Sequence, residues 1–265
     1  MSIFQQKTAL EKACAKELDY VFRQEAKLAK KARKDEPKWK TALAEKVPEK
    51  VRDGLQSAFG KAFALVFEKG TGLLEKTYNK NELLMQHQVQ NYAIKLTESR
   101  KELKNLRKSI GNGSFRNAAL TTVEGVGLGA LGIGLPDAAV FIAVLLRGAY
   151  EAALQYGYDY ESPREQLLIL TMMEAALARG EEWTAANAAV DTLLADNSDI
   201  SPSAVSEQMR RTADAFAVDM LVMKFIQGMP VVGIAGGLSN PVYYQKIMTY
   251  IQLKYYKRYL MKLVQ

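Results

Sequence analysis

The spacing of apolar positions along the chain predicts an all-α fold. Residues 4–34 place apolar side chains three or four positions apart in a segment rich in Ala, Leu, Lys and Glu, which favour helices. Comparable patterns predict further helices over residues 48–70, 81–109, 138–157, 162–180, 183–195, 201–227 and 240–263. No stretch alternates apolar and polar residues as a half-buried strand does. We therefore expect a multi-helix bundle.

The first 110 residues form the more basic part of this predicted bundle. They carry 24 Lys and Arg side chains against 14 Asp and Glu. We expect residues 1–80 to be a basic N-terminal helical region and residues 81–265 a helical domain, the two forming one continuous globule. The helix predicted from Asn81 to Ser109 has an apolar stripe, which consists of Leu84, Val89, Tyr92, Leu96, Leu103 and Leu106. The apolar faces of these N-terminal helices must pack against another element.

Two glycine-rich apolar segments, residues 125–137 (GVGLGALGIGLPD) and 228–241 (GMPVVGIAGGLSNP), precede helices that carry many tyrosines. Neither segment contains the GxxxxGK[ST] pattern, and no predicted strand precedes them, so a nucleotide-phosphate loop is disfavoured. They predict turns or hairpins in a helical core, a pocket lining, or elements that insert shallowly into a membrane. The candidate ligand- or membrane-binding glycines are Gly127, Gly129, Gly132, Gly134, Gly236 and Gly237.

The last predicted helix combines aromatic and basic side chains. No acidic residue follows Asp219, whereas six basic residues do. Tyr244 and Tyr255 lie on one stripe of this helix, and Lys254 and Arg258 lie on a neighbouring stripe. Such a helix is typical of the surface of an anionic membrane, and we take these four residues as binding candidates. The alternative is a C-terminal core helix whose long basic side chains reach water at its edges.

Few residues offer catalytic or metal-binding chemistry. Cys14 and His87 are the only cysteine and histidine, so they cannot form a zinc site, and we predict no metal and no cofactor. His87 lies in a polar stretch and is predicted on the surface of a helix. Three carboxylates in apolar surroundings are weak catalytic candidates: Glu124, Asp137 and Glu151. An acid–base role requires two of them to converge within about 12 Å of each other, because both must reach one substrate.

The residues also resemble a known family. The stretch GLGALGIGLPDAAVFIAVLLRGAYEAALQYGYDYESPREQLLIL and the later GIAGGLSNPVYYQKIMTYIQLKYYKRYL are similar to the EcsC protein family. The resemblance covers about residues 85–262 and depends on the GLPD turn, the YGYDY segment, the ESPRE helix start and the GGLSN element. It implies a bacterial protein whose namesake is encoded beside an ABC transporter. It implies no particular reaction and no catalytic residues.

These observations favour a membrane-peripheral or lipid-binding accessory protein linked to transport or envelope function. Its expected partners are anionic membrane lipids or a membrane transporter, and no nucleic-acid-binding module accompanies the basic segments. The first residues contain charges at Lys7, Glu11 and Lys12 and no signal peptide, so we expect a cytoplasmic protein at the inner face of the membrane. One alternative is a hydrolase-like enzyme that uses buried carboxylates. Another is a scaffold for a protein partner, which a large exposed apolar patch would support.

Overall fold

The computed structural model describes residues 8–34, 49–67, 71–111, 137–196, 198–226 and 241–265. Every regular element in these residues is helical, which confirms the all-α prediction. A single turn of helix (Thr71–Leu74) and a 3₁₀ turn (Glu75–Thr77) lie between the second and third of the longer helices. The longer helices are α1 (Ala9–Lys34), α2 (Glu49–Leu65), α3 (Lys80–Thr97), α4 (residues 100–111), α5 (Asp137–Gln155), α6 (Pro163–Leu177), α7 (Gly180–Ala195), α8 (Pro202–Ile226) and α9 (Pro241–Leu263).

The C-terminal helix α9 lies at the centre of the bundle. It packs against α1, α5 and α6. Around this centre α8 packs on α6 and α2, α7 packs on α6 and α1, and α3 packs on α5. Most side chains of α9 are buried, among them Ile247, Ile251, Tyr255 and Leu260, whereas Gln245 and Thr249 are exposed. A helix that is buried over most of its circumference has little surface left for solvent or lipid.

Aromatic side chains join these helices at both ends of α9. Near its start, the ring of Phe216 from α8 lies 5.4 Å from that of Phe59 and 6.2 Å from that of Tyr243. Near its end, Tyr156, which follows α5, packs on Tyr256 and Tyr259 at 6.1 and 5.9 Å. The tyrosines that follow the two glycine-rich segments therefore pack on one another. Aromatic pairs at such distances add stabilisation beyond the burial of their area.

The basic residues of α9 pair with acids from other helices. The Nζ atom of Lys254, fully buried, lies 2.6 Å from Oε1 of Glu25 on α1 and 2.8 Å from Oδ1 of Asp191 on α7. Lys257 contacts the same two carboxylates at 3.1 and 2.9 Å. Nη1 of Arg258 lies 2.7 Å from Oε2 of Glu165 on α6. Buried charges of this kind persist only when they are paired and hydrogen-bonded.

A second buried carboxylate of α1, Glu17, connects three helices. It receives a hydrogen bond from Nε of Arg100 on α4 at 2.7 Å, and the Nε atom of Arg107 lies 3.5 Å away. The Tyr256 hydroxyl of α9 donates to the same carboxylate at 3.0 Å. The two acids of α1 that face inward, Glu17 and Glu25, are thus both bound by groups of other helices. This helix is held to the bundle by buried polar contacts as well as by Cys14 and Val21.

The prediction of one helix over residues 81–109 is wrong at its start and in its middle. Asn79, rather than Asn81, caps α3, because its side chain accepts a hydrogen bond from the amide of Glu82 at 3.1 Å. Glu98 then ends α3 in a left-handed conformation (φ 47°), and α4 begins as a separate helix. Val89, Tyr92 and Leu96 of the predicted stripe are exposed, whereas Leu103 and Leu106 of α4 are buried. The break at Glu98 lets the two halves present different faces to the bundle.

The residues from Ser162 to Glu165 have the pattern of a capping box, but only one half of the box forms. The Ser162 hydroxyl accepts a hydrogen bond from the amide of Glu165 at 3.2 Å, and Pro163 occupies the first turn of α6. In a capping box the Glu165 carboxylate would turn back to the start of the helix. Here it binds Arg258 of α9 instead.

Gly157 ends α5 with a left-handed conformation (φ 81°) beside His87. The amide of Gly157 donates to Leu154 and that of Tyr158 donates to Ala153, each at 2.9 Å, which is a Schellman end. A Cβ atom at position 157 would overlap the imidazole ring of His87. His87 is therefore half-buried, and its predicted place on the surface is wrong.

We predict that Glu25→Gln lowers the free energy of unfolding by about 3 kcal/mol, since it removes one of two acids from the buried Lys254 and Lys257. Urea unfolding followed by circular dichroism measures this loss. The matched control is Asp19→Asn on the same helix, because the Asp19–Arg23 pair is 64% exposed on both sides. It should change stability by less than about 0.5 kcal/mol. Equal effects of the two substitutions would contradict the buried network.

We also predict that Gly157→Ala costs about 2 kcal/mol, because alanine is strained at a positive φ and meets the His87 ring. Adding His87→Ala should restore the part of the lost stability that comes from the overlap. The part that comes from backbone strain should remain. Gly54→Ala on α2 is the control, since a Cβ there meets nothing within 4 Å. That substitution should stabilise the helix by about 0.5–1 kcal/mol. A neutral Gly157→Ala would show that this turn is not a constraint.

Candidate functional site

All six glycine candidates lie outside the described residues. This holds for Gly127, Gly129, Gly132, Gly134, Gly236 and Gly237, and also for Glu124. The helices that follow the two glycine-rich segments, α5 and α9, pack against each other. Where they pack, Gly148 of α5 lies against Tyr244 and Met248, and a Cβ atom there would meet both side chains.

The other two candidate carboxylates do not come together. Asp137 begins α5, and Glu151 lies fourteen residues later on the same helix. At about 1.5 Å per residue their backbones are about 21 Å apart. Glu151 accepts a hydrogen bond from Nε of Arg147 at 2.9 Å, which is the ion pair expected of residues four apart. These two acids therefore cannot act together on one substrate.

The four candidates on the last helix lie inside the bundle. Tyr244 is 6% exposed, and Lys254 and Tyr255 are fully buried. Arg258 is held by Glu165 and lies over the ring of Tyr158, 4.0 Å from its centroid. Burial raises the pKa of Tyr255 well above its ordinary value, and the Glu165 carboxylate raises it further, so this phenol stays protonated. The three buried side chains, Tyr244, Lys254 and Tyr255, cannot touch a membrane while α9 remains in the bundle.

The surroundings of Cys14 and His87 do not favour catalysis or metal binding. Burial, followed by the nearby Glu17 carboxylate, raises the pKa of Cys14 to about 11, so the thiol stays protonated and is a poor nucleophile. Nδ1 of His87 lies 3.0 Å from the carbonyl oxygen of Gln155 and must donate to it. Among the described residues no three His, Cys, Asp or Glu side chains cluster as a metal site requires.

A groove between α2 and α8 is open to solvent. Asp53, Ser57 and Lys61 line it on one side, and Met209 and Arg210 line it on the other. Arg210 is paired with Glu207 at 2.6 Å. Neither Asp137 nor Glu151 borders the groove.

The solvent side of α1 and α4 carries a basic face. Because Glu17 and Glu25 turn inward, the outward positions of these helices are mostly lysine and arginine. The packing of Arg107 on the Tyr20 ring, 3.8 Å from its centroid, holds the two helices side by side. We define the basic face as the exposed side chains of Lys12, Lys16, Lys27, Lys30, Lys31, Arg33, Lys101 and Lys108.

The outer side of α3 carries an apolar stripe that sequence reasoning did not single out as a site. We define it as Met85, Val89, Tyr92 and Leu96, which are 59%, 64%, 69% and 69% exposed. Their spacing places them on one side of the helix. On the inner side only Ile94 of this helix is buried. The spacing was visible in the sequence, but core and surface stripes have the same period, so it could not reveal that this one faces outward.

Two exposed lysines lie near α3. Lys95 lies on α3 itself, and Lys262 lies near the end of α9, both exposed. Burial lowers the pKa of His87, and the charges of Lys262 and Lys95 lower it further. The Nζ atom of Lys262 lies 5.6 Å from the centroid of the Tyr158 ring, next to Gly157, which packs against His87. At the far end of α3, the backbone amide of Leu10 donates to Oε2 of Glu98 at 3.2 Å. The basic face on α1 therefore begins where the apolar stripe ends.

Within the described part of the chain, α5 is the helix long and apolar enough to cross a membrane, over residues Ala138–Gln155. Of that window, 78% is buried inside the bundle, as in the core helix of many globular proteins.

The comparisons with known proteins agree with the resemblance seen in the sequence. No curated protein matches the chain. No solved structure matches it either. The model of the EcsC protein family matches residues 12–260, so the match includes α1, the basic face and the apolar stripe as well as the region that first suggested the family. The chain belongs to the EcsC protein family.

Proposed function

We propose that this protein is a membrane-peripheral protein that binds anionic lipid surfaces through its basic face, as an accessory to transport or envelope processes. The observation that carries the proposal is the inward turn of Glu17 and Glu25. These acids neutralise arginines of α4 and buried lysines of α9 and leave the outward side of α1 with lysines and arginines. A rigid face of one sign attracts surfaces of the opposite sign.

The size of this attraction follows from the number of bases. Each Lys or Arg near an anionic leaflet contributes about 1 kcal/mol at physiological salt, and the attraction falls off within about 8–10 Å. The eight bases of the basic face supply enough binding free energy even if only half of them approach the lipid surface. The contact is electrostatic, so salt must weaken it.

No cavity supports the hydrolase alternative among the described residues, because Asp137 and Glu151 are separated along α5 and the groove between α2 and α8 holds neither. The exposed apolar stripe on α3 favours a contact with a partner outside the chain, whether lipid or protein. The basic charges beside it favour lipid.

We predict that the protein floats with vesicles of phosphatidylcholine and phosphatidylglycerol at 50 mM salt, and that its affinity falls at least tenfold at 500 mM salt. The triple substitution Lys27→Ala/Lys30→Ala/Lys31→Ala should weaken binding by about 3 kcal/mol, or about a hundredfold, at low salt. Flotation and sedimentation assays measure both effects.

The matched control neutralises three exposed bases of α2, Lys50, Arg52 and Lys61, which lie outside the basic face. It changes the net charge equally and should weaken binding less than threefold. If both triple variants lose affinity equally, net charge rather than the basic face governs binding. If the unsubstituted protein does not float with anionic vesicles at 50 mM salt, the proposed function is wrong.

A further inference from the structure

The apolar stripe on α3 is turned away from the bundle to which α3 belongs. Four apolar side chains of this helix are more than half exposed, whereas only Ile94 is buried. In a surface helix of a globular protein the apolar positions face the core. The orientation is fixed, because Asn91 accepts a hydrogen bond from the Tyr259 hydroxyl at 3.0 Å and His87 is held by Gln155. The stripe therefore lacks a covering element among the described residues.

We infer that α3 lies in the plane of an anionic membrane and inserts Met85, Val89, Tyr92 and Leu96 among the lipids. This inference rests on the membrane-peripheral function proposed above and assigns it an inserting element. The composition of the stripe suits the interface between head groups and acyl chains, because Tyr92 has an apolar ring with a polar hydroxyl.

Charge complementarity favours lipid over a second copy of the chain. Lys95 is exposed on α3 beside the stripe, and the basic face continues from the end of the stripe. An anionic surface neutralises these charges, whereas a second copy would bring the same charges together in a chain of net charge +7. The stripe also contributes only four side chains, whereas a stable dimer buries about 800 Å² on each partner.

The two surfaces have separable roles. The basic face attracts the protein to the lipid surface over a distance that salt controls. The stripe acts only on contact, through burial of apolar area that salt does not screen. Removing the stripe must therefore weaken binding at every salt concentration and leave the salt dependence in place.

The test uses the full chain with the triple substitution Val89→Ser/Tyr92→Ser/Leu96→Ser and vesicles of phosphatidylcholine and phosphatidylglycerol. Affinity should fall at least tenfold at 50 mM salt, and the residual binding should still decrease with salt. The control Gln86→Ser/Gln88→Ser changes exposed positions of the same helix off the stripe and should stay within twofold of the parent. Because all five positions are exposed, thermal unfolding should show that both variants remain folded.

A second readout directly measures how deeply the stripe inserts into the bilayer. In Tyr92→Trp, bromolipids should quench the new tryptophan, whereas in Phe22→Trp, on α1, quenching should be much weaker. Parental affinity of the stripe variant would overturn the inference and leave the proposed function standing. If the parent forms a concentration-dependent dimer that the stripe substitutions abolish while lipid binding persists, a second copy covers the stripe and the inference is wrong. If the parent binds no vesicles, both proposals fail.

Discussion

The bundle depends on one electrostatic constraint, which is that the bases of its central helix must find acids on other helices. No acidic residue follows Asp219, so α9 cannot pair Lys246, Lys254, Lys257 or Arg258 within itself. An unpaired buried charge costs several kcal/mol, and pairs of good geometry with further hydrogen bonds offset that cost. Glu25, Asp191, Glu165 and Asp219 meet the requirement from α1, α7, α6 and α8. These ion pairs fix which helices surround α9 and where each of them lies along the axis of α9.

The same constraint shapes the outer surface. Each acid that turns inward to meet α9 or α4 no longer balances the outward bases of its own helix. On α1 this leaves Lys27, Lys30 and Lys31 exposed without the balance of Glu25, which shortly precedes them in the sequence. The basic face is thus a consequence of how the interior is neutralised. Interior and surface are two results of one distribution of charge along the chain.

The sequence allowed the helical fold and most helix limits to be predicted, because apolar spacing, Pro163, Pro202 and Pro241 are local signals. It did not reveal which stripes face inward. The aromatic and basic stripes of α9 are what an interfacial helix shows, yet this helix is the centre of the bundle; the acids that permit its burial lie up to 232 residues away. For the apolar stripe of α3 the sequence misled in the opposite way, because an apolar stripe favours a place in the core but this one faces outward. Its orientation follows from the break at Glu98 and from tertiary contacts such as Tyr259 with Asn91.

Hydrogen–deuterium exchange with and without vesicles containing phosphatidylglycerol tests the central claim most directly. The claim is that lipid meets the outside of a bundle whose centre stays closed around α9. Exchange should slow in peptides from α1 and α3 when vesicles are added, and the exchange of residues 243–260 should remain slow and unchanged. Faster exchange in α9 with no protection of α1 or α3 would contradict the account, because it would mean that the buried helix leaves the bundle to meet the membrane.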